Sequence, residues 1–478
     1  MHGMTRRTFS ASVALSALSA ATLARQVSAR ADLPSDSDIR QTLTDRVAAL
    51  SAGQNSIGMV AGVIGPQGQR IVAVGHRDKG DARPLTGDTA FEFGSVAKVF
   101  TSLLLADMVL HREVVLDDPA AKYLPKSVKL PQRNGRQITL ADLATHMSGL
   151  PFMPVLPVPP GGTAFTSADI YKFLADYSLP RDPGSDWDYS NLGYWLLSEA
   201  LAGRARTKFP TLLSQRVLAA LNMTHSGFGL SPQMKTDLAI GHNSALRPAP
   251  SLSDVPIYNL MPAAGAGFYA TANDVLTFLS AALGYLRSPL APAFDLAVDT
   301  HVPIRGSTDL QALGWTLIGE GRDQLIFRDG GTFGFASCVV WDRNKKVGAV
   351  VLANCVTDVS DIGKHILRPD LPLVERAPVV LHTEIPLDAA ILGRYVGRYA
   401  AQGEGIFTVA LESGHLTFAA PAEWGLPKLR IRPESKTDFF AAELPLRIAF
   451  QIGPGGSAIG MTIYPPRGQK GLAAKKIG

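Results

Sequence analysis

Cysteine is almost absent from this chain: Cys338 and Cys355 are the only two in 478 residues, which excludes a zinc ribbon or a disulfide framework. Long apolar runs are missing too. The longest early stretch, Ala11 to Ala24, falls short of the roughly 18 residues a membrane span needs, and no later run reaches that length. Charged residues make up 18% and apolar residues 46%, so the chain is globular rather than disordered and long enough for two or three domains. The net charge of +5 does not mark a nucleic-acid partner. The first 31 residues carry Arg6, Arg7, Arg25 and Arg30 and no acid, and removing that +4 leaves about +1 for the rest. H-E-x-x-H, P-loop and Gly-rich dinucleotide motifs are all lacking, so no metal and no cofactor has a basis in the sequence. A G-x-S-x-G elbow is lacking as well, which leaves an α/β-hydrolase with little support.

The N-terminus reads as an export signal. Thr5-Arg6-Arg7-Thr8-Phe9 has the twin-arginine pattern, an apolar stretch follows, and small residues offer cleavage after Ala29 or Ala31. The expectation is a cleaved leader and a periplasmic or secreted protein with no stable membrane span.

The stretch that organises the remainder is Phe91-Glu92-Phe93-Gly94-Ser95-Val96-Ala97-Lys98, which opens an apolar helix running to about His111. Ser95 and Lys98 are three apart and share a helix face. A serine in the first helical turn, beside a lysine whose pKa burial lowers, is an activated nucleophile. The same S-x-x-K also reads as an N-cap serine with a solvated lysine, so the rest of the chain has to decide.

Three other places bear on that decision. Tyr189-Ser190-Asn191 lies between a Pro-Gly turn and a helix; a tyrosine beside a lysine cation has a lowered pKa and a phenolate that can serve as general base. Asn191 offers an amide to the lysine or to a substrate carbonyl. Arg328-Asp329-Gly330-Gly331 closes a late strand, where paired glycines allow close approach of a substrate to the backbone. The N–H of Gly331 would join that of Ser95 in a two-donor oxyanion hole, although such a glycine pair also fits an ordinary strand end. His146 and His242 are the candidate bases of a Ser-His-Asp triad, but His146 reads better as a helix-end residue with structural hydrogen bonds.

Secondary-structure patterns give strands at Gly58 to Ile64 and Gln69 to Val74, helices dominating Ser167 to Leu221, and strands again from Gly314 to Leu352. Strands at both ends with helices between them predict one α+β unit whose sheet closes with strands from both ends. Val339 to Trp341 and Val347 to Leu352 are expected to form a hairpin. With Trp341 facing Val347, Cys338 lies opposite about residue 350, so two buried free thiols are expected rather than a disulfide. Residues 153–162 form a Pro/Gly-rich loop that either borders a pocket or packs on the surface. From residue 369 a Pro-containing connection leads to short alternating segments, a small all-β module.

The order S-x-x-K, then Y-x-N about ninety residues later, then a basic-x-Gly strand resembles that of the serine β-lactamases and penicillin-binding proteins, in particular class C-type β-lactamases with their related esterases and DD-peptidases. The resemblance runs from about Gly58 to Asn354. The segment beginning Leu392-Gly393-Arg394-Tyr395 is similar to the lipocalin-like β-domain appended to many such hydrolases. What this implies is a β-lactamase-like antiparallel sheet flanked by helices, with a leader over 1–31, a hydrolase domain over 32–368, a linker over 369–386 and a β-barrel-like domain over 387–478. Ser95 would be the nucleophile, Lys98 its proton partner and Tyr189 the base, with Asn191, Arg328 and Gly331 binding substrate. The implied partner is a small-molecule or peptidoglycan-derived substrate, a β-lactam or D-alanyl peptide. An ester is the rival within the family, and a non-catalytic β-lactam- or peptidoglycan-binding protein the rival outside it. The oligomeric state is not set by any motif.

One residue departs from the pattern. The third motif usually begins with lysine or histidine, and here it begins with Arg328, which cannot exchange a proton near neutral pH. It reads either as a fixed charge beside the Ser95 pocket, suited to a carboxylate, or as a residue turned away and paired with Asp329 or Asp323.

Overall fold

The structure is a computed structural model and describes residues 33–156, 165–376, 382–421, 424, 426, 428–441, 446–464 and 471–478. The leader over 1–31 and residues 157–162 of the Pro/Gly-rich loop lie outside the described residues. No helix among the described residues is long and apolar enough to cross a membrane.

Eight antiparallel strands make the main sheet. Its order is Gly68–Gly75, Gly58–Gly65, Val347–Ala353, Ala336–Asp342, Leu325–Gly331, Thr316–Ile318, Leu310–Ala312 and His301–Pro303. Early and late chain meet between its second and third strands, where Val60 pairs with Leu352 and Val63 with Ala349. This is the closure the strand positions in the sequence predict. Every residue of Gly58–Gly65, Ala336–Asp342 and Val347–Ala353 is buried, so these strands are covered on both faces.

Close packing on one face depends on glycine: a Cβ on Gly62 would press on Leu276, and one on Gly348 on Leu279, both from the helix Ala272–Ala282. On the other face lie Asp36–Leu50 and Ser360–Leu367, where a Cβ on Gly363 would strike the sulfur of Cys338. The helix Asp36–Leu50 begins at a capping box between Ser35 and Asp38, worth roughly 1 kcal/mol.

The hairpin register differs from the sequence expectation by one residue. Asp342, not Trp341, faces Val347, and Cys338 faces Val351. The reason is local: Asp342 Oδ1 accepts the N–H groups of Asn344 and Lys345 at 2.9 and 2.8 Å, so the last strand position closes the turn with its own side chain. Both cysteines are buried and free.

The C-terminal strands, from Gly397–Ala401 to Leu472–Lys476, close into an eight-stranded barrel. Its inward positions alternate with outward ones, as the sequence pattern requires, and Tyr395, Phe439 and Phe450 meet inside in edge-to-face and tilted contacts with ring centres 4.9 to 5.3 Å apart.

The connection before the barrel is tethered at both ends. Val374 donates its N–H to Asp361 Oδ2 (2.8 Å) and accepts from Arg46 (3.1 Å), beside the buried Arg46–Asp361 pair at 2.6 Å. Glu384 pairs with Arg430 and Arg432, on a barrel strand. Residues 377–381 lie outside the described residues. A chain ending at Arg376 should therefore melt cooperatively, whereas one ending at Arg368 should melt lower. The second truncation strips two hydrogen bonds from a buried ion pair, at roughly 1–3 kcal/mol for each group left unsatisfied. Equal melting temperatures in differential scanning calorimetry would show that the 369–376 segment contributes nothing.

Candidate active site

Ser95 sits in a single 3-10 turn, Gly94–Val96, that feeds the helix Ala97–Leu110. The first twelve residues of that helix, Ala97 to Met108, are buried, as expected of a helix that is apolar almost all round. The turn is held from two sides by close backbone contact. Gly94 has φ +55°; a Cβ there would come within 2.7 Å of the Gly331 carbonyl, and a Cβ on Gly265 within 2.0 Å of the Gly94 carbonyl.

The helix carries Lys98 inward with no exposed surface. Its Nζ lies 3.1 Å from Ser95 Oγ and donates to the Ala264 carbonyl at 2.9 Å. The rings of Tyr189 and Tyr194 flank it, with centres 4.9 and 5.4 Å away. Tyr189 Oη is 2.7 Å from Ser95 Oγ, so the serine oxygen has the amine on one side and the phenol on the other.

Tyr189 is fixed by its neighbours. Ser190 caps the helix Asn191–Ala205 by accepting the Gly193 N–H at 2.8 Å, and gives its own N–H to His146 Nδ1 at 3.2 Å. The His146 ring lies under Tyr189 at 4.4 Å. His146 is thus a structural residue, as its position at a helix end suggests, but one that shapes the site by supporting the tyrosine. Its support of Tyr189 across more than forty residues has no signal in the sequence.

Arg328 stands as a charge beside Ser95, the first of the two courses expected, but it turns to Tyr189 rather than towards a carboxylate in the cavity. Its Nη2 donates to Tyr189 Oη at 2.9 Å, its side chain is almost fully buried, and it lies off the cavity surface. Asp323 pairs instead with Lys345 and Arg368.

Charge on these groups follows from burial. Taking an ammonium out of water costs several kcal/mol, while a hydrogen bond from a charged donor to one carbonyl returns about 1.5–3 kcal/mol, so the neutral amine is favoured. Burial, reinforced by the Arg328 cation, accordingly holds Lys98 well below the ordinary lysine value. Burial raises the Tyr189 phenol, and Arg328 offsets part of that rise. These directions oppose the lowered Tyr189 beside a lysine cation that the sequence suggests: burial moves the phenol up and the amine down. His146 is pushed well down by burial and then by Arg328 and Lys98.

Ser95, Asn191 and Gly331 line one cavity of about 190 Å³. Its other walls are largely apolar, among them Phe152, Leu252, Tyr258, Met261 and Phe333. Asn191 does not hold the lysine, whose partner is the Ala264 carbonyl; its Oδ1 is buried without a protein partner. The two glycines of the late strand divide their roles. A Cβ on Gly330 would strike the Phe93 carbonyl at 2.5 Å, so that glycine serves packing, whereas a Cβ on Gly331 would meet nothing within 4 Å. Close approach by a ligand is thus open at Gly331 only. Among the described residues no cluster of His, Cys, Asp and Glu fits a metal ion.

The depressed Lys98 value has a signed consequence for stability. Between its folded value and the ordinary 10.5, the unfolded chain binds more protons than the folded one, so stability rises with pH across that window and levels off above it. Lys98→Met removes the slope. From neutral pH towards about 10 the melting temperature of the wild type should gain steadily on that of Lys98→Met. Parallel curves would mean that Lys98 is charged in the fold.

Comparison with known proteins bears on the same elements. The Beta-lactamase family profile matches residues 43–368. The D-alanyl-D-alanine-carboxypeptidase/endopeptidase AmpH of Escherichia coli K12 is 30% identical over 328 residues, covering 63% of this chain and 80% of that protein. A beta-lactamase of Pseudomonas fluorescens is 25% identical over 353 residues, covering 66% and 94%. A solved class C beta-lactamase shares the fold with a TM-score of 0.59 at 20% identity, over 71% of this chain and 98% of that one. With more than half of its length matched and the sheet, helices and site elements in the order described, the chain belongs to the Beta-lactamase family.

Proposed function

We propose that this protein is a serine hydrolase working through an acyl-enzyme on Ser95, with β-lactams or D-alanyl peptides as substrates. The observation that carries the reading is the contact of Ser95 Oγ with a fully buried Lys98 amine, whose pKa burial lowers, and with the Tyr189 hydroxyl. The printed activities of the relatives, a D-alanyl-D-alanine carboxypeptidase and beta-lactamases, support the substrate class.

In this reaction Ser95 Oγ attacks the carbonyl carbon and its proton passes to the Lys98 lone pair, directly or through Tyr189 Oη. The N–H groups of Ser95 and Gly331 stabilise the oxyanion, and Asn191 Nδ2 faces the substrate amide. The C–N bond breaks as the leaving nitrogen takes the proton back through Tyr189, and a water molecule then repeats the sequence on the ester to release the acid. Arg328 keeps Tyr189 Oη on the serine oxygen and limits the cost of any negative charge that develops there. Residues 1–31 would export the folded enzyme by the twin-arginine route.

A second reading, a carboxylesterase of the same family, draws on one specific observation. Arg328 is occupied by Tyr189, and among the described residues no charged side chain lines the cavity. A carboxylate-bearing substrate would find no free cation there, whereas a neutral ester needs none.

Intact-protein mass spectrometry after incubation with a labelled penicillin and, separately, a fluorophosphonate tests both. The first reading predicts a penicillin adduct on Ser95, short-lived for a β-lactamase and long-lived for a D-alanyl peptidase, with Ser95→Ala folded and unlabelled. A fluorophosphonate adduct without a penicillin adduct moves the conclusion to the esterase. Labelling that survives Ser95→Ala sinks both.

A further inference from the structure

Glu92 ends the strand Ala90–Glu92, three residues before Ser95, and only 1% of its surface is exposed. One of its oxygens gathers three donors. Oε1 accepts from Ser251 Oγ at 2.6 Å, from the Leu252 N–H at 3.0 Å and from the Gly267 N–H at 3.4 Å. Burial raises this carboxyl from its ordinary value, and the three donors, with the Thr332 side chain, offset part of that rise. The two amides stand at opposite ends of the segment 251–267. Between them the chain makes only short turns, Leu252–Asp254, Pro256–Asn259 and Pro262–Ala264. Helices of one turn hold little stability of their own, so the ends must be fixed from outside.

That segment is one wall of the cavity beside Ser95. It supplies Leu252, Tyr258, Met261, Ala264 and Ala266 to the lining, and the Ala264 carbonyl is the acceptor for Lys98 Nζ. We infer that Glu92 is a positioning residue whose carboxylate hangs both ends of the 251–267 wall from the strand leading into Ser95. It touches no reacting atom and acts through the wall: pulling Leu252 and Gly267 to one oxygen sets the width of the cavity and the place of the Ala264 carbonyl. A hydroxyl and two amides converge on Oε1, while Oε2 is buried without a protein partner. An apolar residue would leave both buried amides without an acceptor. The kinetic part of this inference rests on the cavity being the substrate site proposed above; the structural part does not.

Hydrogen–deuterium exchange on the full-length protein tests the structural part. Glu92→Ala should speed exchange across 251–267 by about tenfold or more while the helix Ala97–Leu110 exchanges as in the wild type. Glu92→Gln keeps an oxygen in place and should stay within about threefold of the wild type. With a chromogenic cephalosporin, Glu92→Ala should raise KM about tenfold and leave kcat within about fivefold, and Glu92→Gln should restore KM. Unchanged exchange over 251–267 in Glu92→Ala, or Glu92→Gln as fast-exchanging as Glu92→Ala, overturns the inference. If Glu92→Ala does not fold, Ser251→Ala, which removes one of the three donors, should speed exchange at 251–254 alone, and no change there overturns it. A wild type that turns over no substrate and takes up no serine probe would defeat the proposed function, while the exchange result would still decide the role of Glu92.

Discussion

An amine with no access to water, held between a serine hydroxyl and a backbone carbonyl, is the constraint on which the site depends. Lys98 reaches that place because its helix is buried almost throughout, and the helix can enter at that depth only because Gly94, Gly265 and Gly330 let three backbone segments touch. Adding one methyl group at any of these glycines would force the turn bearing Ser95 away from its neighbours. The fold thus sets the chemistry through close contact first and charge second.

The charge pattern then follows with little freedom. Arg328 keeps its proton at any pH the fold survives, and it lies buried against Tyr189. A second cation nearby would add repulsion to the cost of burial, so Lys98 and His146 are both held well below their ordinary values. That fixed positive charge adds to burial in favouring the neutral amine, an effect that a lysine or histidine at position 328 would secure less firmly, since either can itself lose the proton. The proposed nucleophile, its base and the phenol that links them form one hydrogen-bonded unit before any substrate arrives.

Much of this was legible in the sequence because it is carried by local signals. S-x-x-K needs only helical spacing, Tyr189-Ser190-Asn191 contains its own N-cap, and the alternating strands of the barrel declare their inward faces. Ser95, Lys98, Tyr189, Asn191 and Gly331 do come together. What could not be read depends on contacts between distant segments. The partner of Arg328 was hidden because a basic residue at a strand end gives no sign of which way it turns. The acceptor for Lys98 is a backbone carbonyl at Ala264, and main-chain atoms have no identity in a sequence. Glu92 stood within the quoted motif, yet its role rests on amides 160 and 175 residues away. The hairpin register slipped by one because Asp342 closes the turn with its side chain, which the spacing of apolar residues does not reveal.

The central claim, that Lys98 is an uncharged base at rest, is open to direct observation. Protein labelled with carbon-13 at lysine Cε, compared with Lys98→Arg to assign the signal, gives the titration of this one amine by NMR. The account predicts a Lys98 resonance with the shift of a neutral amine at neutral pH, titrating well below 10.5. A resonance that stays in the ammonium range up to about pH 10 would contradict it, and would return the role of base to Tyr189.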